Sequence, residues 1–126
     1  MKKIYTTDKA PAAIGPYSQA VGVGDQVFIS GQIPLVPETM DLVSEDVNEQ
    51  THQVMKNLGA ILKEAGLDYE NIVKTTILLN SMDDFQTVNE IYASYLEEPF
   101  PARAAYEVSR LPKDVKVEIE AIATKG

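Results

Sequence analysis

Apolar residues recur along this chain in two rhythms, and the changes of rhythm mark its elements. Val47, Thr51, Val54, Leu58, Ile61, Leu62 and Ala65 fall at the three-to-four-residue spacing of one helix face. Ser44 and Asp46 are candidate N-caps for that helix. Glu45, Asp46 and Glu49 suit its positive end, and Gly66 is placed to stop it. A second stripe, Phe85, Val88, Ile91, Tyr92, Tyr95 and Leu96, predicts a second helix. Ser81 or Asp83 can cap it, and Pro99 limits its extension.

Strands are expected around these helices. Residues 26–30 follow the turn-like cluster Gly22-Val23-Gly24-Asp25, and residues 17–23 precede it, so the two read as a hairpin. The β-branched run over 72–79 reads as a central strand. Residues 102–108 and 115–123 are two more strands, separated by the loop Ser109-Arg110-Leu111-Pro112-Lys113-Asp114. The order is β-β-β-α-β-α-β-β, an α+β domain with five or six strands in one sheet and both helices on one face. Nothing in the chain covers the other face, so an oligomer is expected to supply the cover. A length of 126 residues suits a single domain over 1–126 with a core that needs no staples.

Alternation in the last two strands makes a sharper prediction. If 109–114 closes a regular hairpin, Val108 faces Val115, Tyr106 faces Val117, Ala104 faces Ile119 and Ala102 faces Ala121. The other face then pairs Glu107 with Lys116, Ala105 with Glu118 and Arg103 with Glu120. In that register Arg103, Glu118 and Glu120 lie together, away from the helices, with the small Ala105 leaving space beside the carboxylates. Arginine offers a planar fork to a carboxylate, and a nearby glutamate can move a proton through water. A solvated ladder of ion pairs has the same pattern.

Composition narrows the chemistry. There is no cysteine, which excludes disulfides, thiolate metal sites and a cysteine nucleophile. The net charge of -8 and the scattered basic residues argue against a phosphate-backbone binder. No apolar run approaches the roughly 18 residues needed to span a bilayer, and Lys2-Lys3 has no apolar stretch behind it, so a cytoplasmic location is expected. His52, the sole histidine, lies beside the first stripe and reads as a surface residue rather than a metal ligand or base. Ser30 has no histidine or lysine base near it in sequence and does not read as a nucleophile.

Several stretches taken in order carry a resemblance. They are Ala10-Pro11-Ala12-Ala13-Ile14-Gly15-Pro16-Tyr17-Ser18-Gln19-Ala20, Ser30-Gly31-Gln32-Ile33-Pro34, Val73-Lys74-Thr75-Thr76 and Val88-Asn89-Glu90-Ile91-Tyr92. Pro101-Ala102-Arg103, Leu111-Pro112-Lys113-Asp114 and Val117-Glu118-Ile119-Glu120-Ala121 complete the set. On these the chain resembles the reactive intermediate deaminase family, the Rid or YjgF proteins. The resemblance implies a chorismate-mutase-like fold, a homotrimer around a central barrel and three clefts between subunits. It also implies hydrolysis of 2-aminoacrylate, 2-iminopropanoate or 2-iminobutanoate to 2-keto acids and ammonia, without metal or organic cofactor. The carboxylate-binding arginine of the family falls on Arg103 and the glutamate of the attacking water on Glu118. Tyr17, Ser30, Gly31, Asn89 and the backbone at Ala105 match the substrate wall. Many microbial members carry a cysteine where this chain has Ala105, so thiol-dependent behaviour is not expected here. A keto-acid-binding or enzyme-regulating trimer is the main alternative, and an endoribonuclease, an activity ascribed to relatives, is a third.

Overall fold

The computed structural model describes residues 1–126. Six strands form one sheet: β1 (Lys3–Tyr5), β2 (Ala20–Val23), β3 (Gln26–Gln32), β4 (Ile72–Leu79), β5 (Ala102–Glu107) and β6 (Val117–Thr124). Two α-helices, α1 (Val47–Glu64) and α2 (Phe85–Ser94), pack on one face of it. The element order is the one the apolar pattern predicts. No helix is long and apolar enough to cross a membrane.

The sheet order is β1-β2-β3-β6-β4-β5. Along β6, Val117, Ile119, Ala121 and Ala123 are buried beneath the helices, while Glu118, Glu120, Ile122 and Thr124 face the other way. β3 contributes Val27 and Ile29 to the covered face, and β4 contributes Ile77 and Leu79. Val54, Met55, Leu58, Ile61 and Leu62 of α1 close over them, each with no exposed surface. Asp46 is the N-cap of α1, accepting a hydrogen bond from the Glu49 N–H at 3.0 Å. Gly66 follows the helix with φ 76°, a left-handed turn that glycine adopts without strain. At the second helix, Ser81 caps a short 3-10 turn that leads into α2 instead of capping α2 itself.

The expected hairpin between the last two strands does not form. β5 pairs with β4 in parallel, with Arg103 beside Thr75 and Ala105 beside Ile77. β6 pairs antiparallel with both β3 and β4. The reason is topological. β4, α2 and β5 form a β-α-β crossover, which lays β5 next to β4 with the helix on the sheet. After β5 the chain passes the end of β4, where the Val108 N–H bonds the Leu79 carbonyl and the Asn80 N–H bonds the Lys116 carbonyl. It then enters β6 on the far side of β4. β4 therefore separates the two strands that the alternation had paired. The parity inverts with it: Arg103 and Ala105 lie on the helix side of the sheet, and Ala102, Ala104 and Tyr106 on the open side. Tyr106 is not a core partner of Val117 but 56% exposed.

Buried amides tie the irregular segments to this frame. Asn57 donates from Nδ2 to the carbonyls of Ile33 and Leu35, both at 3.1 Å, and accepts from Gln53. Gln50 donates to the Ser44 carbonyl and accepts from the Lys116 N–H. His52 is exposed, as expected, with Nδ1 2.7 Å from the Tyr95 hydroxyl, a link from α1 to the end of α2.

These amides support a stability prediction. Asn57→Leu keeps the branched shape but leaves the buried Leu35 carbonyl without a donor and removes one of the two donors at the Ile33 carbonyl. A loss of about 1–3 kcal/mol is expected, read as a lower urea midpoint with an unchanged denaturant slope.

Candidate functional site

Two regions gather the side chains singled out in the sequence, and they lie on opposite faces of the sheet. The first is at the β5 edge. Arg103 projects from β5 over α2, where it donates a hydrogen bond from a terminal guanidinium nitrogen to Asn89 Oδ1. Its guanidinium carbon lies 5.4 Å from the centre of the Phe85 ring and 5.5 Å from that of Tyr92. The Tyr92 hydroxyl in turn lies 2.7 Å from Thr75 Oγ1 in the buried layer. Burial raises the Tyr92 hydroxyl above its ordinary pKa, against the opposing pull of the Thr75 bond and the Arg103 charge. A hollow of about 370 Å³ opens here between Asn89, Tyr92, Ala93, Phe100, Pro101 and Arg103. Asn89 supplies the one side-chain hydrogen bond made by the guanidinium, whose remaining N–H groups have no protein partner.

The second region is on the open face, at the irregular end of β3. The β3–β6 register shifts between Ile29 and Gln32, and this bulge brings the backbone of Gly31 against Glu118. A Cβ on Gly31 would lie 2.0 Å from Glu118 Oε2 and 2.9 Å from its carboxyl carbon. Glycine is needed here for space, because the carboxylate occupies the place of a side chain. Burial pushes the Glu118 carboxyl above the usual range, and the negative charge of Glu120 on the same face adds to the shift.

Beside Gly31 lies a hollow of about 360 Å³, whose wall includes Tyr17, Ile33, Leu35, Met40 and Lys113. Tyr17 is 54% exposed and stands in an irregular segment before β2, not within the strand expected over 17–23. What orders that segment is Gln19, buried and fully engaged. Its Nε2 donates toward the carbonyls of Thr7, Ala10 and Pro11, and its Oε1 accepts from the Thr7 N–H at 2.7 Å. Ser30 donates its hydroxyl to the Ser18 carbonyl at 2.6 Å. The hydroxyl proton is thus committed to holding the same segment, and the Ser30 N–H bonds the Gln19 carbonyl, so Ser30 has no free donor to offer a ligand.

The expected cluster is therefore rearranged. Arg103 and Asn89 meet, and Glu118 packs on Gly31, which with Tyr17 lines the other hollow, but Arg103 does not share a face with Glu118 or Glu120. Ala105 is partly buried against the core on the Arg103 side and, with β4 between, does not lie beside Glu118. No group of three His, Asp or Glu side chains is placed to hold a metal ion. The sequence reading missed Gln19 as the anchor of the first segment and the ring pair beneath Arg103. Phe85, Asn89 and Tyr92 do stand at i, i+4 and i+7, a spacing visible in the sequence. What that face of α2 receives depends on β5 passing over it.

Comparison with known proteins places this geometry. The family model described as Endoribonuclease L-PSP matches residues 7–125. The chain is 56% identical over 126 residues to the mouse 2-iminobutanoate/2-iminopropanoate deaminase, covering 100% of this chain and 93% of the relative. It is 56% identical over 123 residues to the Arabidopsis thaliana chloroplastic Reactive Intermediate Deaminase A, covering 98% of this chain and 66% of that longer protein. The crystal structure of E. coli TdcF with bound serine superposes with a TM-score of 0.94 at 45% identity, covering 98% of this chain and 99% of the other. With its single sheet, two helices and near-complete span of matched residues, this chain belongs to the reactive intermediate deaminase family, the Endoribonuclease L-PSP group of proteins.

Proposed function

We propose that this chain hydrolyses small 2-imino acids, and the enamines that tautomerise to them, to 2-keto acids and ammonia. The working unit in this reading is a homotrimer with its clefts between neighbouring subunits. The observation that carries it is the division of the site. An arginine with free donors and a desolvated carboxylate point away from opposite faces of one sheet. They act on one molecule only when the Arg103 edge of one protomer meets the Glu118 face of the next. The uncovered face, with Phe28 42% and Tyr106 56% exposed, offers apolar surface for that contact. The names of the mouse and Arabidopsis relatives supply the reaction class, and the bound serine of TdcF supports a small amino-acid-like ligand.

The chemistry follows from the groups. Arg103 holds the substrate carboxylate through two parallel N–H bonds and so fixes the neighbouring C=N carbon. Water attacks that carbon. A C–O bond forms as the C=N π pair moves to nitrogen, and Glu118 accepts the water's proton. The same proton returns to the nitrogen, the C–N bond breaks, and the remaining O–H proton is lost as the ketone forms. One water is consumed and one ammonia released. A protonated imine is already electrophilic, so orientation and one proton carrier suffice. In the loaded cleft the substrate carboxylate neutralises Arg103, leaving burial and Glu120 to set the Glu118 pKa.

A second reading, a small-molecule-binding trimer without turnover, is favoured by the serine-bound relative. Steady ammonia release from an enzymatically generated imine separates the two. RNA cleavage has less support, because the charge of -8 repels a phosphate backbone.

Arg103→Lys retains the charge but loses the planar fork. We expect kcat/KM for imines and the affinity for keto acids to fall on the order of 10- to 100-fold, the equivalent of one charge-assisted hydrogen bond. Wild-type turnover in a stable Arg103→Ala trimer would overturn the assignment.

The pH dependence has a definite sign. Glu118 works as the carboxylate, so kcat should fall as acid protonates it. Because its pKa is raised, the limb should lie above the ordinary value of about 4.3. Glu118→Gln should lower kcat and abolish that limb; a limb unaltered in the variant would assign it to another group.

Site sharing is tested by mixing. Arg103→Ala and Glu118→Gln chains, each of low activity, should regain turnover when co-refolded, since some clefts then carry both intact groups. Mixed trimers without regained activity would refute sharing, and a monomeric mass by light scattering would refute the assembly.

A further inference from the structure

Arg103 stands on the outermost strand, with a long side chain and one hydrogen bond. Such a group ordinarily samples many rotamers, and ordering it on binding costs affinity. Here α2 supplies more than the Asn89 contact. Phe85, Asn89 and Tyr92 line one face of that helix at i, i+4 and i+7 and lie beneath the same guanidinium. The guanidinium carbon lies at near-equal distances from the two ring centres, 5.4 and 5.5 Å. Tyr92 is only 4% exposed and is fixed by its bond to Thr75, the strand residue directly beside Arg103. Phe85 is half-buried where the 3-10 turn runs into the helix. The rings set where the guanidinium sits, and Asn89 fixes one of its nitrogens. Together they leave the remaining donors without a protein partner, beside the hollow lined by Phe100 and Pro101.

We propose that Phe85 and Tyr92 are positioning residues for Arg103: a cation–π cradle that holds the guanidinium ready for a carboxylate before one arrives. The inference rests on the functional reading above and adds to it the groups that set the arginine's orientation. Neither ring touches the reacting atoms; both act through Arg103.

Phe85 is the position to test, because Tyr92 is part of the buried core whereas Phe85 packs against it only partly buried. Phe85→Leu and the more adaptable Phe85→Met remove the ring face while keeping an apolar side chain. Each should lower kcat/KM for imines and weaken keto-acid binding by about three- to tenfold, chiefly through KM, with trimer mass and melting temperature retained. Phe85→Tyr, which restores an electron-rich ring, should return kcat/KM to within about twofold of wild type. The decisive measurement is a cycle with Arg103→Gln, followed at enzyme concentrations that register residual turnover. If the ring acts through the cation, Phe85→Leu should cost less than about twofold more in that background. An equal cost in both backgrounds, or a Phe85→Tyr variant as impaired as Phe85→Leu, would overturn the cradle and make Phe85 a packing residue. Wild-type turnover in Arg103→Gln alone would instead remove the functional reading on which the cradle depends.

Discussion

The alternation along β6 is the constraint from which the rest of this structure follows. Every second residue from Val117 to Ala123 is buried against α1 and the neighbouring strands, and a residue removed from water on that side fixes its neighbours on the other. Glu118 and Glu120 are thereby committed to the open face. Because β6 pairs with β3 and β4 at once, a slip of one residue would drive two carboxylates into the apolar layer and disrupt both ladders. The position of Glu118 is thus secured by the core behind it as much as by anything on its own face.

The same strand order accounts for where Arg103 goes. With β6 beside β4, the crossover through α2 leaves β5 on the outside, and its parity sends Arg103 toward the helix. A charge placed there would be unwelcome over a plain apolar surface. The rings and the Asn89 amide instead accept it at the rim without paired burial. At the opposite end the packing is closer. Gly31 yields its side-chain volume to the Glu118 carboxylate, and Gln19 replaces regular secondary structure as the tie for the segment bearing Tyr17. The Arg103 region is set by rings and the Glu118 region by a missing side chain and a buried amide.

Much of this was legible in the sequence. The helix stripes, the strand order along the chain and the inward set of β6 all follow from periodicity, because bulky apolar residues carry an unambiguous polarity. The ordered motifs named Tyr17, Ser30, Gly31, Asn89, Arg103, Ala105 and Glu118 as candidates, and the fold divides them between two regions on opposite faces. The pairing partner of β5 was not legible. Alternation reports which residues share a face, not which strand lies alongside. Ala102, Ala104 and Ala105 are too small to mark a buried side, so Arg103 was assigned the wrong face. The reason for Gly31 was hidden for a related cause: it depends on a bulge that brings β3 and β6 together, and bulges leave no periodic trace. Gln19 reads as one more polar residue ahead of a strand until its four backbone contacts are seen.

The uncovered sheet face has a consequence for the life of the newly made chain. Phe28 and Tyr106 lie on that face, and β5 ends the sheet with backbone groups that have no neighbouring strand. A lone protomer therefore presents an adhesive face and edge, able to capture a stray strand or a half-finished copy. Under the proposed trimer, correct folding and correct meeting become one problem in proteostasis. The yield in a crowded cell would then depend on how quickly these surfaces are buried as well as on how stable the core becomes.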